Sequence, residues 1–179
     1  MYGTTGVCQV MGITEEQFLD DEARDYYVLN PVYSHQKTIK IPVEIQLNAR
    51  YLHSKDEVQD FIKKMPSNEL FWIDDERQRH QTFKSMLKNL DCESLIMLIN
   101  SIYSYKNKIV TPSKKVSKQD EEIMKVAEHL LNQEFATILG IEPSEVTDYI
   151  LEQVSHQSIG NKPSKTEKIN DCFLFVRLL

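Results

Sequence analysis

Residues 37–62 read KTIKIPVEIQLNARYLHSKDEVQDFI, and the periodicity of the chain changes within them. Lys37-Thr38-Ile39-Lys40-Ile41-Pro42-Val43 is short and β-branched, the pattern of a strand. Further on, Ser54-Lys55-Asp56-Glu57 is a capping box. The Ser54 oxygen can accept from a first-turn N–H, and the Glu57 carboxylate can reach back to the cap. Val58, Phe61, Ile62 and Met65 follow as one apolar stripe, and Pro66, which has no N–H to donate, stops the helix. Strand-type sequence therefore gives way to helix-type sequence near residues 47–55, and the fold class expected is α+β.

Towards the N-terminus the strand character continues. Val7-Cys8-Gln9-Val10-Met11-Gly12-Ile13 alternates and ends at a glycine, and Tyr26-Tyr27-Val28-Leu29 is aromatic and β-branched. Pro31 and Ser34-His35-Gln36 punctuate the module, and the acidic run Glu15 to Asp25 is expected to connect the first two strands. Short strands with polar turns suggest a small β-barrel or a strongly bent sheet. Tyr2-Gly3-Thr4-Thr5-Gly6 precedes a strand, not a helix N-terminus, so it reads as a turn and not as a phosphate cradle.

Towards the C-terminus the pattern predicts a bundle of about five helices. A second helix begins near Asp74 or Asp75 and carries Phe83, Met86, Leu87 and Leu90. Asp91 caps a third, with Leu95, Ile96, Leu98, Ile99 and Ile102 inside. Ser117 caps a fourth, holding Ile123, Val126, Ala127, Leu130, Leu131, Phe135 and Ile138, and Gly140 terminates it. Pro143-Ser144-Glu145 opens a fifth with Val146, Tyr149, Ile150 and Val154. The expected divisions are residues 1–50, 51–156 and a linker with an atypical tail at 157–179.

Composition narrows the function. The 179 residues are 41% hydrophobic and 27% charged, enough apolar material for a core, with a formal net charge of −6. That balance excludes a uniformly basic protein that coats nucleic acid by charge, but not a small local contact. No run approaches the ~18 apolar residues of a membrane span. The start MYGTTGVCQV has no basic region followed by an apolar stretch, so a cytoplasmic protein is expected. Cys8, Cys92 and Cys172 are sparse and contain no CxxC, which argues against a disulfide framework and a zinc site.

No catalytic constellation is visible. His35, His53, His80, His129 and His156 are scattered without a metal-ligand pair and are expected on the surface. There is no GxGxxG, Walker loop or GxSxG. The expectation is no enzyme, no cofactor and no metal. Two features point elsewhere. Lys106, Lys108, Lys114, Lys115 and Lys118 cluster in one connection, a basic patch or merely a solvated loop. Phe71-Trp72-Ile73 carries the single tryptophan between two helices, with Arg77 and Arg79 following. An aromatic beside basic groups can wedge a base step while the arginines take phosphates. It can equally be a hydrophobic staple packing the start of a helix.

The opening YGTTGVC at 2–8, YYVLNPVY at 26–33 and TIKIPVE at 38–44 resemble the CarD/CdnL family of bacterial RNA polymerase-binding transcription regulators. The likeness continues through WIDDERQR at 72–79, LKNLDCESLIMLINSIY at 87–103 and DEEIMKVAEHLLNQEFATILGI at 120–141, and is nearest to members from low-GC Gram-positive bacteria. It implies an N-terminal Tudor-like, SH3-type barrel that docks on the polymerase β subunit, partly by strand addition. It also implies a helical module at the upstream edge of the transcription bubble, where a tryptophan wedge holds the promoter open. Family members usually begin with a strand of the type Phe-x-x-Gly-Asp-x-Val-Val, which has no match here. The first barrel strand is accordingly expected to be missing, leaving an open edge.

By position, the resemblance assigns Lys40, with Thr38, Ile39 and Ile41 on the same strand, to polymerase binding. It assigns Trp72 to the wedge, Arg77 and Arg79 to phosphates, and Lys114, Lys115 and Lys118 to the basic side of the helical module. The expected partners are the polymerase β subunit and promoter DNA upstream of the bubble, the expected state is a monomer without membrane association, and the expected location is the cytoplasm, at the nucleoid through polymerase. The alternative is a protein-interaction adaptor whose helices only pack and touch no DNA.

Overall fold

The computed structural model describes residues 1–17, 22–34, 38–65, 71–108 and 116–159. The chain divides into two compact units, Met1–Leu52 and His53–Leu179. Among the described residues, the first holds a three-stranded antiparallel sheet and the second five helices, an α+β arrangement. The expected tail falls largely outside the described residues.

In the first unit, β1 (Cys8–Glu16), β2 (Arg24–Pro31) and β3 (Ile39–Pro42) lie in the order β1-β2-β3. β1 runs further than its glycine suggested. The pairing shifts between Val10 and Gly12, where Val10 faces Leu29 and Gly12 faces Val28, so Met11 is the extra residue of a bulge. Gly12 has φ 148°, a backbone state that needs no Cβ penalty only in glycine. The bulge resets the parity, so Val10 and Ile13, three apart, share a sheet face with Leu29 and Tyr27. Glu15 and Glu16 then pair with Asp25 and Arg24 inside the ladder, so the ends of the acidic run are strand, not connection. Leu29, Ile41 and Val7 form the buried centre of this unit. Tyr2 to Gly6 is a tight turn closed by the Tyr2 N–H on the Gly6 carbonyl at 2.8 Å.

In the second unit the caps lie where the sequence places them. Ser54 caps α1 (Lys55–Lys64) in a reciprocal box with Glu57. Asp75 caps α2 (Glu76–Asn89), accepting from the Gln78 N–H at 2.7 Å. Asp91 receives the Ser94 N–H at 2.9 Å at the start of α3 (Cys92–Lys108). Ser117 and Asp120 form a second box at α4 (Lys118–Leu139), which Gly140 ends in the left-handed region. A short 3-10 turn at Pro143–Glu145 leads into α5 (Val146–Ile159).

α3 is the central helix of this unit: Leu95, Ile96, Leu98, Ile99 and Ile102 are buried together with Asn100 and Ser101. It packs on α4 and α2, while α1 meets α5. Leu90, at the end of α2, is buried at a positive φ of 55°. A non-glycine residue persists in that strained region because its side chain fills the core. The apolar stripe of α4 is interrupted by three buried polar groups, Asp120, Gln133 and Glu134, which periodicity did not reveal.

Candidate functional site

Trp72 sits in the segment that leads into α2, partly exposed. Its ring is stacked on Tyr105 of α3, with centroids 3.6 Å apart and planes 5° from parallel. The Arg79 guanidinium carbon lies 4.3 Å over the same ring. A ring stacked that closely leaves no room for a second group on its face, so arginine and tyrosine cover opposite faces. Phe83 meets the indole at a steep angle, with centroids 6.4 Å apart. The backbone leading to Trp72 is held by the Phe71 N–H donating to the buried Ser101 hydroxyl at 3.3 Å. The tryptophan is thus clamped by Tyr105, Arg79 and Phe83.

Arg79 is held inside the fold. It is 6% exposed, and its Nε and Nη2 donate to the two oxygens of Asp120 at 3.2 and 2.9 Å. Its Nη1 donates to the Ile73 carbonyl at 2.7 Å, anchoring the residue next to Trp72. This differs from the expectation that Arg79 takes a phosphate: a buried guanidinium requires a paired anion, and Asp120 supplies it. Burial pushes the Asp120 carboxyl up, but the hydrogen bonds from Arg79 and Ser117 and the nearby charges of Arg79 and His80 prevail, so its pKa is lowered. Arg79 acts as the strut that positions Trp72.

Arg77 does face solvent, one position off the buried side of α2, and Lys118 is exposed at the start of α4. Lys114 and Lys115 lie outside the described residues. Between α2 and the start of α4, Arg77, His80, Gln81, Lys84 and Gln119 line a shallow polar groove with Glu76 at its rim. Lys84 and His80 were not singled out from sequence. The available signal was the spacing of Arg77, Gln81 and Lys84, which follows one helical face. His80 is only 12% exposed in its side chain and lies 3.2 Å from Asp120. His53 is also largely enclosed, beside Glu134. Two of the five histidines therefore depart from the expected surface placement, because each pairs with a buried carboxylate.

In the sheet unit, β3 pairs with β2 on one side, and among the described residues no strand covers its other side. Lys40 points to solvent and its ammonium donates to Glu16 of β1. The Thr38 hydroxyl donates to Asn30 Oδ1 at 2.9 Å. Ile39 is half-buried, whereas Ile41 is 8% exposed and belongs to the core. Ile41 therefore offers a partner its backbone, not its side chain. β1, the opposite edge, exposes Val10, Met11 and Ile13, an apolar strip unusual on an unprotected strand.

Among the described residues no helix is long and apolar enough to cross a membrane. No curated protein matches the chain. Residues 1–49 match the family model of the CarD-like/TRCF RID domain, and the match ends close to the boundary of the first unit at Leu52. The N-terminal unit is therefore similar to the CarD-like/TRCF RID domain, a domain linked to RNA polymerase-interacting transcription factors, and the chain is consistent with a CarD-like family protein.

Proposed function

We propose that the protein is a transcription regulator that binds the RNA polymerase β subunit through its N-terminal unit and stabilises the open promoter complex through its helical unit. The observation that carries the polymerase half is the RID match over residues 1–49. The open side of β3 suits docking by strand addition, in which backbone groups bind and alternate side chains such as Lys40 select. The DNA half rests on Trp72. Its ring is held by Tyr105 and Arg79, and the same unit carries exposed basic groups at Arg77 and Lys84 of α2 and Lys118 of α4. An indole pre-clamped in one orientation loses little entropy on insertion, which helps offset the few kcal/mol of unstacking a base step. The protein would then shift the population from closed to open complex without chemistry of its own. It would work in the cytoplasm, as a monomer, brought to promoters by polymerase.

A second reading has its own support. Both faces of Trp72 are occupied and Arg79 is committed to Asp120, as expected of an adaptor whose helices only pack. A salt titration of promoter-DNA affinity, with and without polymerase, separates the two. A DNA contact gives a slope of roughly one per phosphate neutralised; an adaptor gives none, and that result would remove the DNA half of the proposal.

A further inference from the structure

His53, Cys92 and Glu134 converge inside the helical unit from three separate elements. His53 precedes the α1 cap, Cys92 is the first residue of α3, and Glu134 lies in the C-terminal half of α4. The cysteine sulfur is 3.6 Å from His53 Nδ1 and 3.2 Å from Glu134 Oε2. His53 Nδ1 is 2.9 Å from Glu134 Oε1, which also accepts the His53 backbone N–H at 3.2 Å. All three potential ligand atoms lie within 4.8 Å of one another. Cys92 and the Glu134 side chain are 0% exposed and the His53 side chain 19%. His53 is thus the one member of the trio that reaches solvent.

We propose that this trio binds a soft divalent cation of the zinc class. A tetrahedral zinc with bonds of about 2.3 Å to sulfur and about 2.0–2.1 Å to nitrogen and oxygen keeps its ligands roughly 3.3–3.6 Å apart. The sulfur–nitrogen separation of 3.6 Å already matches such an edge, while the sulfur and the imidazole nitrogen approach different oxygens of Glu134, so binding needs a rotation of that carboxylate to bring one oxygen to the ion and no change of fold. The donor set is one sulfur, one imidazole nitrogen and one carboxylate, which favours zinc over the hard cations magnesium and calcium. On binding, the Cys92 proton passes to solvent. Thiolate, carboxylate and neutral imidazole then bring two negative charges to a doubly positive ion, and the α3 N-terminus favours the thiolate. Three protein ligands leave a fourth position for water on the His53 side. A bound ion would tie the starts of α1 and α3 to the C-terminal half of α4, and α3 carries the Tyr105 on which Trp72 stacks.

The test uses the full chain, reduced and stripped with a chelator, then titrated with zinc and with cobalt(II). The expected result is a single equivalent of zinc retained after dialysis, a sulfur-to-cobalt charge-transfer band, and a rise in Tm with zinc. Cys92→Ser should lose the band. His53→Asn, at the more exposed ligand, should keep the parent circular dichroism spectrum. It should weaken zinc by at least the roughly tenfold loss that even outer-shell changes cause. The double variant Cys8→Ser/Cys172→Ser should bind as the parent does. A folded parent without the band, a band that survives Cys92→Ser, or equal affinity in His53→Asn would each overturn the proposal and leave a hydrogen-bonded pin.

Discussion

Trp72 and Tyr105 lie face to face, their ring centroids 3.6 Å apart and their planes within 5° of parallel. Each ring fixes the other: one belongs to an irregular segment and the other to the central helix of the bundle. With Arg79 on the opposite face, the indole has one way to stand. That single geometry joins the packing of the helical unit to the contact proposed for DNA.

Because Trp72 is the single tryptophan, its fluorescence reports the clamp directly. Tyr105→Ala should expose one indole face and raise collisional quenching by acrylamide, at a stability cost of about 0.5–1.5 kcal/mol beyond lost burial. Trp72→Ala should abolish open-complex stabilisation in a promoter-lifetime assay while polymerase pull-down is unchanged. Loss of both together with the fold would mean that the indole serves packing alone.

Arg79→Ala should be far more damaging than Arg77→Ala. The first leaves Asp120 buried without its cation, at a cost of about 3–5 kcal/mol, and should also raise Trp72 quenching. The second should leave denaturant stability within about 0.5 kcal/mol of the parent and weaken promoter DNA binding. Equal stability of the two variants in urea would show that the ion pair does not hold the segment.

Two carboxyls set opposite pH trends. Asp120 has a lowered pKa in the fold, so its contribution is present above the ordinary carboxylate range and is lost as pH falls through the folded value. Glu128 is pushed up to about 7, chiefly by burial, with Lys125 and Lys106 pulling the other way. Its contribution is full below the unfolded value near 4.5 and is lost as pH rises to about 7. Glu128→Gln should therefore be more stable than the parent at pH 8 and indistinguishable at pH 4, as read from urea midpoints.

Lys40→Glu should weaken retention on the isolated polymerase β lobe while leaving the melting temperature within a few degrees, since the side chain is exposed. Ile41→Glu should instead unfold the sheet unit, because that side chain lies in its core. A pull-down indifferent to Lys40→Glu would take the docking strand away from β3.

Much of the helical unit was legible residue by residue. Ser54, Asp91 and Ser117 cap the helices they announce, and Asp75, one of two candidate starts, caps α2, since a cap is a contact across three residues and is written in local sequence. The sheet was legible in outline but not in extent. Gly12 looked like a terminator and is a bulge, because only pairing with β2 reveals which residue is extra. The buried Asp120 and Glu134 escaped detection for the same reason: their partners Arg79, Cys92 and His53 are distant in the chain.

The sequence by itself determined the division into a strand-rich and a helical part, the helix starts and stops, and the likeness over its first residues to a polymerase-interacting domain. These depend on local hydrogen bonds, periodicity and short motifs. Tertiary structure alone decided that Arg79 turns inward while Arg77 stays out, that Tyr105 meets Trp72, and that a histidine, a cysteine and a glutamate share one pocket. Those outcomes depend on which buried charge finds which partner as the helices pack, and burial makes that choice energetically decisive without marking it in any local pattern.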